Sequence, residues 1–411
     1  MNQTKPYDLP KRLIYEAWQR IKANKGGAGV DGQSLNDYEA DLKGNLYKLW
    51  NRMSSGSYFP QAVKRVHIPK ADGGERPLGI PAVADRIAQM AVKMEIEDEL
   101  EVHFHTDSYG YRPNKSAHQA VEQVKRRCWK RAWVLDIDIK GFFDTINHDL
   151  LMKAVDKHVK KPWQRLYISR WLQAPVRHPD GTIKPCNQGT PQGGVISPLL
   201  ANLYLHYVFD RWVERHCPQM QFTRYADDIV CHCETERQAR RWQTMLTERF
   251  AVCGLTLHPE KTKVVYCKSW KNTAEEARIS FDFLGFTFRP RYNPKGQGRR
   301  RVCFVPAISR KAAKRIRRTI NDWPWRIWLQ GELADILRYS HSKLQGWVAY
   351  YGPFGWYEIK HILLHFDQKT EPMGEAKVQS SEDQGASGSA RAGFCPAQCW
   401  ITGALVRQVN G

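Results

Sequence analysis

Carboxylates arranged to gather metal ions stand out in this otherwise basic chain. Asp227 and Asp228 lie between two β-prone runs, residues 222–225 and 229–231, a pattern that predicts a tight hairpin with the acids at its turn. Adjacent carboxylates repel each other, so a fold that keeps them there has use for a cation. Asp is also a common turn residue, and read alone the pair favours a plain solvated turn. Upstream, residues 133–144 (Trp-Val-Leu-Asp-Ile-Asp-Ile-Lys-Gly-Phe-Phe-Asp) alternate so that Val134, Asp136 and Asp138 share one face and Leu135, Ile137 and Ile139 the other. A buried, unpaired carboxylate is costly, and two such strands side by side would offset that cost by sharing divalent ions. All-oxygen ligands suit Mg²⁺, and two ions about 3.5–4 Å apart stabilise the attacking and leaving oxygens of a phosphoryl displacement. Asp138, Asp227 and Asp228 are the candidate ligands, with Asp136 one pleat behind.

The elements that must position these acids follow from the same kind of reading. Residues 66–81 contain two β-prone arms around Asp72-Gly73-Gly74, predicting a hairpin that carries Lys70 and Arg76. Arg offers phosphate a planar fork and Lys a mobile point charge, although basic residues on a hairpin are also ordinary solvated positions. Residues 10–23 have helical apolar spacing and should stop in the glycines that follow, and another helix is expected from Asp85. Ser116 and Gln119 form a capping-box pair, and Ser197-Pro198 reads as an N-cap with proline in the first turn.

The block Gln188-Gly-Thr-Pro-Gln-Gly-Gly-Val-Ile-Ser-Pro-Leu-Leu-Ala-Asn202, taken with Tyr225-Ala226-Asp227-Asp228 and Asp138, resembles a reverse transcriptase. More narrowly, the chain resembles the group II intron-encoded reverse transcriptase and maturase family from about Lys22 to about Leu364. The resemblance implies an α+β right-hand polymerase fold, with fingers and palm built on antiparallel sheet, followed by an α-helical thumb or maturase domain. The implied divisions are an N-terminal extension (1–60), fingers and palm (61–288), an incomplete thumb (289–366) and a disordered, divergent tail (367–411). Within that frame, Asp138, Asp227 and Asp228 hold two Mg²⁺, with the backbone carbonyl of Ile139 completing the site. Lys70 and Arg76 hold the incoming deoxynucleoside triphosphate, Gln192 lies beside it, and Lys261, ahead of Lys263, donates a proton to the leaving pyrophosphate. Phe143 packs under the sugar and excludes a 2′-hydroxyl, core packing being the competing role. Arg112 contacts nucleotide phosphate or template, or else closes a structural salt bridge. Residues 283–286 look like the primer-grip hairpin.

Composition bears on partners. The net charge is +21 and the isoelectric point about 9.6, an excess that points to nucleic acid before membrane. From Arg289 to Arg318 there are twelve Lys or Arg and no acid, while Ile308, Ala312, Ile316 and Ile320 form a helical stripe. One face would pack and the other, with Arg310, Lys314, Arg317 and Arg318, would grip phosphates or simply be solvated. The partners implied are intron RNA, an RNA template, a DNA primer and deoxynucleotides. No apolar run of membrane-spanning length occurs and the N-terminus lacks the apolar core of a signal peptide, so a soluble, cytoplasmic protein is expected. The cysteines read as buried thiols of a reducing compartment rather than zinc ligands. Beyond about Asp367 the composition departs from the family's basic helical ending, as though unrelated sequence replaced the end of the maturase region, and no His-Asn-His nuclease is visible. Two rival readings are a non-catalytic RNA-binding splicing factor and a retron or diversity-generating reverse transcriptase. Gly346-Trp347 and Tyr350-Tyr351 favour the intron family over the latter.

Overall fold

Apolar periodicity turns into packed elements in chain order. The computed structural model describes residues 5–69, 74–276, 278–293, 301–325 and 333–383. They divide into two units, Met1–Arg127 with Arg131–Val265, and Cys128–Lys130 with Tyr266–Gly411. In the first unit the helix Lys11–Asn24 buries Ile14, Ala17, Trp18 and Ile21, as their spacing requires, and ends at Lys25. The expected basic hairpin follows as β1 (Val63–Pro69) and β2 (Glu75–Ile80), paired from Lys64↔Ile80 to Pro69↔Glu75. The helix Val83–Glu101 then buries Ile87, Ala88, Ala91, Val92 and Ile96. It also buries Asp85, whose carboxyl accepts from Gln61 N (3.1 Å) and Tyr58 Oη and is raised to about 6 by burial. Ser116 and Gln119 exchange the two capping hydrogen bonds read from their spacing.

The acid-bearing strands make a second sheet. Its members are β3 (Trp133–Ile137), β6 (Gln221–Tyr225), β7 (Asp228–Cys233) and β8 (Lys263–Tyr266), in the order β6-β7-β3-β8; the short strands β4 (Val176–Arg177) and β5 (Ile183–Lys184) extend the first sheet beside β1. The helix Glu236–Val252 packs on β3 and β7 through a face that includes Ala239, Trp242, Leu246 and Phe250. Residues Ser197–His216 run as one helical rod with a π-helical turn at His206–Asp210, which shifts the register of everything after it. Ser197 does not cap this rod as its sequence suggested: its hydroxyl accepts from Thr190 Oγ1 (2.8 Å), and the residue lies inside the first turn.

In the second unit β9 (Phe281–Phe283), β10 (Phe286–Asn293) and β11 (Arg301–Ile308) form a sheet in the order β11-β10-β9. The turn between β9 and β10 is Leu284-Gly285, both left-handed at φ 50° and 80°, the pattern that matches a two-residue hairpin to strand twist. The helix Arg310–Asn321, capped by Ser309, buries Ala312, Ile316 and Ile320 and exposes Arg310, Lys314, Arg317 and Arg318. A long helix, Leu333–Asp383, is interrupted at Gly355. It runs past Asp367, where a disordered tail was expected, into a stretch whose Glu375, Ala376, Lys377 and Gln379 are good helix formers. Residues 384–411 lie outside the described residues. No helix among the described residues is long and apolar enough to cross a membrane, and the described cysteines form no disulfide.

A pH dependence is built into β7. His232 is buried there, no described residue hydrogen-bonds either ring nitrogen, and burial pushes its pKa well below 6.5. Its contribution to stability is present above pH 6.5 and is lost as pH falls below that value, because only the unfolded chain takes up the proton. The raised Asp85 works in the opposite sense, so the effect is to be read as a difference between variants. His232→Leu should gain on the parent by up to about 1.4 kcal/mol per pH unit below that point, measured as denaturant unfolding at a series of pH values. A gap that does not change with pH would show that His232 is protonated in the folded chain.

Candidate active site

The acids meet at one end of adjacent strands. Tyr225 pairs with Asp228, so the two-residue turn is Ala226-Asp227, one residue earlier than the Asp227-Asp228 turn expected, and Asp228 opens β7. The displaced turn rests on Ala226, which takes a left-handed φ of 55°. On the other side of β7, β3 pairs from Trp133↔Cys233 to Ile137↔Ile229, and one further step sets Asp138 level with Asp228. Asp138 is held by the 256–262 segment: its carbonyl accepts from His258 N (2.8 Å), while Lys140 N donates to Thr256 O (2.9 Å). These two bonds bracket an Ile139–Leu257 bridge in which Ile139 makes no ladder bond of its own, so its carbonyl is directed away from Leu257, toward the β7 side. Lys261 Nζ stands 4.0 Å from Asp138 Oδ2, both groups being well exposed.

The local electrostatics disfavour ionisation. Desolvation raises the Asp227 pKa, with Asp138 adding to the rise and Arg76 and Arg224 opposing it. Asp228 is pushed up to about 7, first by desolvation and then by the charges of Asp227 and Asp138. Part of Asp228 faces solvent, which tempers the shift, but the neighbouring negative charges fix its upward direction. Among the described residues no three His, Cys, Asp or Glu side chains form a ready-made metal cage. The donors themselves, three mutually repelling carboxylates with a carbonyl alongside, are the oxygen set that a hard divalent ion takes.

The Gln188 block is tied into the same region through its backbone. A short helix, Phe142–Thr145, starts after left-handed Gly141, and Phe143 O accepts from Thr190 N (2.7 Å). Gly189 N donates to Ile146 O (2.7 Å); with φ 84°, a Cβ at this glycine would lie 2.7 Å from Phe143 O, so no other residue fits. Gln192 faces the basic hairpin, its carbonyl accepting from Gly79 N (2.6 Å) and its Oε1 from Arg76 Nε (2.8 Å). Arg76, Gln192 and Phe143 therefore belong to one connected patch. Phe143 is largely buried and packs edge to face on Phe142 at 5.3 Å, which agrees with the packing role left open for it.

Arg112 is corrected to the structural role. Its guanidinium is buried, forks onto Glu101 (2.6–3.0 Å) and donates to the carbonyls of His105 and Ser108 (2.6 Å each), leaving little for a phosphate. Lys70 lies outside the described residues. What the sequence reading passed over is Arg224, fully buried beneath the Asp227 turn and paired with Asp210. Its trace in the sequence was an arginine sharing a strand face with Phe222.

The family described as "Reverse transcriptase (RNA-dependent DNA polymerase)" matches residues 68–288, which contain the acids, the hairpin and the Gln188 block. The chain belongs to the reverse transcriptase family. It is accordingly an RNA-directed DNA polymerase by class. Among its relatives, protein YkfC of Escherichia coli (strain K12) is 33% identical over 359 residues, covering 76% of this chain and 89% of YkfC. The group II intron-encoded protein LtrA of Lactococcus lactis subsp. cremoris is 30% identical over 290 residues, covering 68% of this chain and 47% of LtrA. A putative COX1/OXI3 intron 1 protein of Saccharomyces cerevisiae is 31% identical over 202 residues, 49% of this chain and 24% of that protein. These relatives bear out the resemblance to the intron-encoded branch, although the chain spans about half the length of LtrA and less of the yeast protein. In fold, the reverse transcriptase is similar to the telomerase from Candida albicans in complex with a fragment of telomeric RNA, with a TM-score of 0.50, 11% identity, and coverage of 91% of this chain and 61% of that one. That likeness bears on the polymerase fold alone.

Proposed function

We propose that this chain is the RNA-directed DNA polymerase of a group II intron, which also binds intron RNA, assists its splicing and serves its mobility. The observation that carries the reading is the meeting of Asp138, Asp227 and Asp228 at one end of β3 and β7. Two Mg²⁺ bound there would stabilise the attacking primer 3′-oxygen and the leaving pyrophosphate oxygen. The three carboxylates and the Ile139 carbonyl hold the metal, and Arg76 and Lys70 take the triphosphate of the incoming deoxynucleotide. Gln192, already joined to Arg76, lies against the nascent pair, and Phe143 backs the sugar. Lys261, exposed beside Asp138, protonates the pyrophosphate. The exposed row Arg310, Lys314, Arg317 and Arg318 supplies phosphate contacts to RNA, with a buried stripe behind it to hold the helix in place.

The test is primer extension on an RNA template with purified protein, Mg²⁺ and deoxynucleotides. Extension is expected, with a yield that falls as salt rises. Steeply salt-dependent RNA binding without any extension would instead favour the non-catalytic splicing factor.

A further inference from the structure

Below the catalytic turn lies an ion pair that the chemistry above does not use. Arg224 and Asp210 are both fully buried and meet through two bonds, Nε to Oδ1 at 2.9 Å and Nη2 to Oδ2 at 2.6 Å. The π-helical turn His206–Asp210 is the segment that ends on this aspartate. The remaining Arg224 nitrogen, Nη1, donates to Asn202 Oδ1 (2.9 Å) and to the carbonyl of Ala226 (3.1 Å), the residue immediately before Asp227. Asn202 in turn donates to Gly110 O (2.7 Å), and a Cβ at Gly110 would collide with the backbone of Tyr225 and Ala226. Ala226 is therefore gripped at its carbonyl and backed at its nitrogen, in a left-handed conformation that alanine does not favour.

We propose that Arg224, with Asp210 and Asn202, is a positioning device that fixes the Ala226–Asp227 peptide and so sets where the Asp227 carboxylate meets a divalent cation. The inference rests on the reading of Asp227 as a metal ligand. Stability alone does not account for such a pair, since replacing a buried ion pair by apolar residues of similar size is often neutral or stabilising. What an apolar pair cannot do is donate to the Ala226 carbonyl. Arg127 gives the contrast: it braces the same strand, donating to Phe222 O, to Thr223 Oγ1 (3.0 Å) and to Asp107 Oδ2 (2.7 Å), without reaching the turn.

The experiment compares the full chain with an Asp210→Leu, Arg224→Met double variant and with Arg127→Met, using thermal unfolding, Mn²⁺ binding followed by electron paramagnetic resonance, and single-turnover primer extension. The double variant should melt close to the parent, bind Mn²⁺ more weakly and extend roughly 10- to 100-fold more slowly at saturating deoxynucleotide, as expected for a reactive group displaced by about 1 Å. Arg127→Met should melt lower while its folded fraction keeps the parent's Mn²⁺ affinity and rate. A double variant that binds Mn²⁺ and extends like the parent overturns the proposal. One that fails to fold also overturns it, since the pair would then serve the core. If the parent binds Mn²⁺ but extends no primer, the polymerase reading fails while the Mn²⁺ comparison still decides the positioning role. A parent that binds no Mn²⁺ ends both.

Discussion

Asp227→Ala, Asp228→Ala should extend an RNA-templated primer at least about a thousandfold more slowly than the parent, because metal-borne charge stabilisation contributes several kcal/mol and each 1.4 kcal/mol is about tenfold in rate. RNA affinity and its salt slope should not change, since the variant leaves intact the basic row of Arg310–Asn321, to which the proposed function assigns the phosphate contacts. The fold should not suffer either. Both carboxyls have raised proton affinity in the folded chain, so the fold disfavours their ionised forms at neutral pH, and removing them relieves that strain. A melting temperature at or above the parent's, together with lost incorporation, separates catalysis from folding in one pair of measurements. Undiminished incorporation by the variant would refute the assigned mechanism.

The second large effect concerns the sugar. Phe143→Ala should lower the preference for deoxynucleotides over ribonucleotides, measured as a ratio of kcat/KM values, by roughly 10- to 200-fold, the range over which a shape-based pocket discriminates. Phe143 is held from its backbone: its carbonyl anchors Thr190, and left-handed Gly141 begins its helical turn. Truncation should therefore remove the ring without releasing the loop. Its burial against Phe142 means that stability will fall as well, by about 3 kcal/mol or more for a core phenylalanine. A drop in stability with no change in sugar preference would leave Phe143 as a packing residue only.

How far the sequence could be read depended on how local the determinants were. The β1–β2 hairpin was legible because β-prone arms flank Asp72-Gly73-Gly74, and the Ser116 cap because its partner stands three residues on. The acid strands were legible through alternation, and their meeting followed once both were placed in one sheet. The turn at Ala226 was misplaced by one residue because Asp227-Asp228 has the turn chemistry while alanine has none. What holds that alanine could not be read, since Arg224 meets Asp210 across a π-helical irregularity that no periodicity announces. Arg112 was undecided for a similar reason: Glu101, its partner, lies at the end of the preceding helix, eleven residues back in the chain.

The joints between Gly79 and Gln192, Gly189 and Ile146, and Thr190 and Phe143 are all main-chain hydrogen bonds. A pocket wall assembled this way keeps its shape whatever side chains stand on it, apart from the glycine that the approach to Phe143 requires. Under the proposed polymerase reading, side-chain exchange at Gln192 would change what this wall offers a nucleotide while the spacing set by its main chain stays constant. In such a frame, substrate preference and positional accuracy are separately mutable.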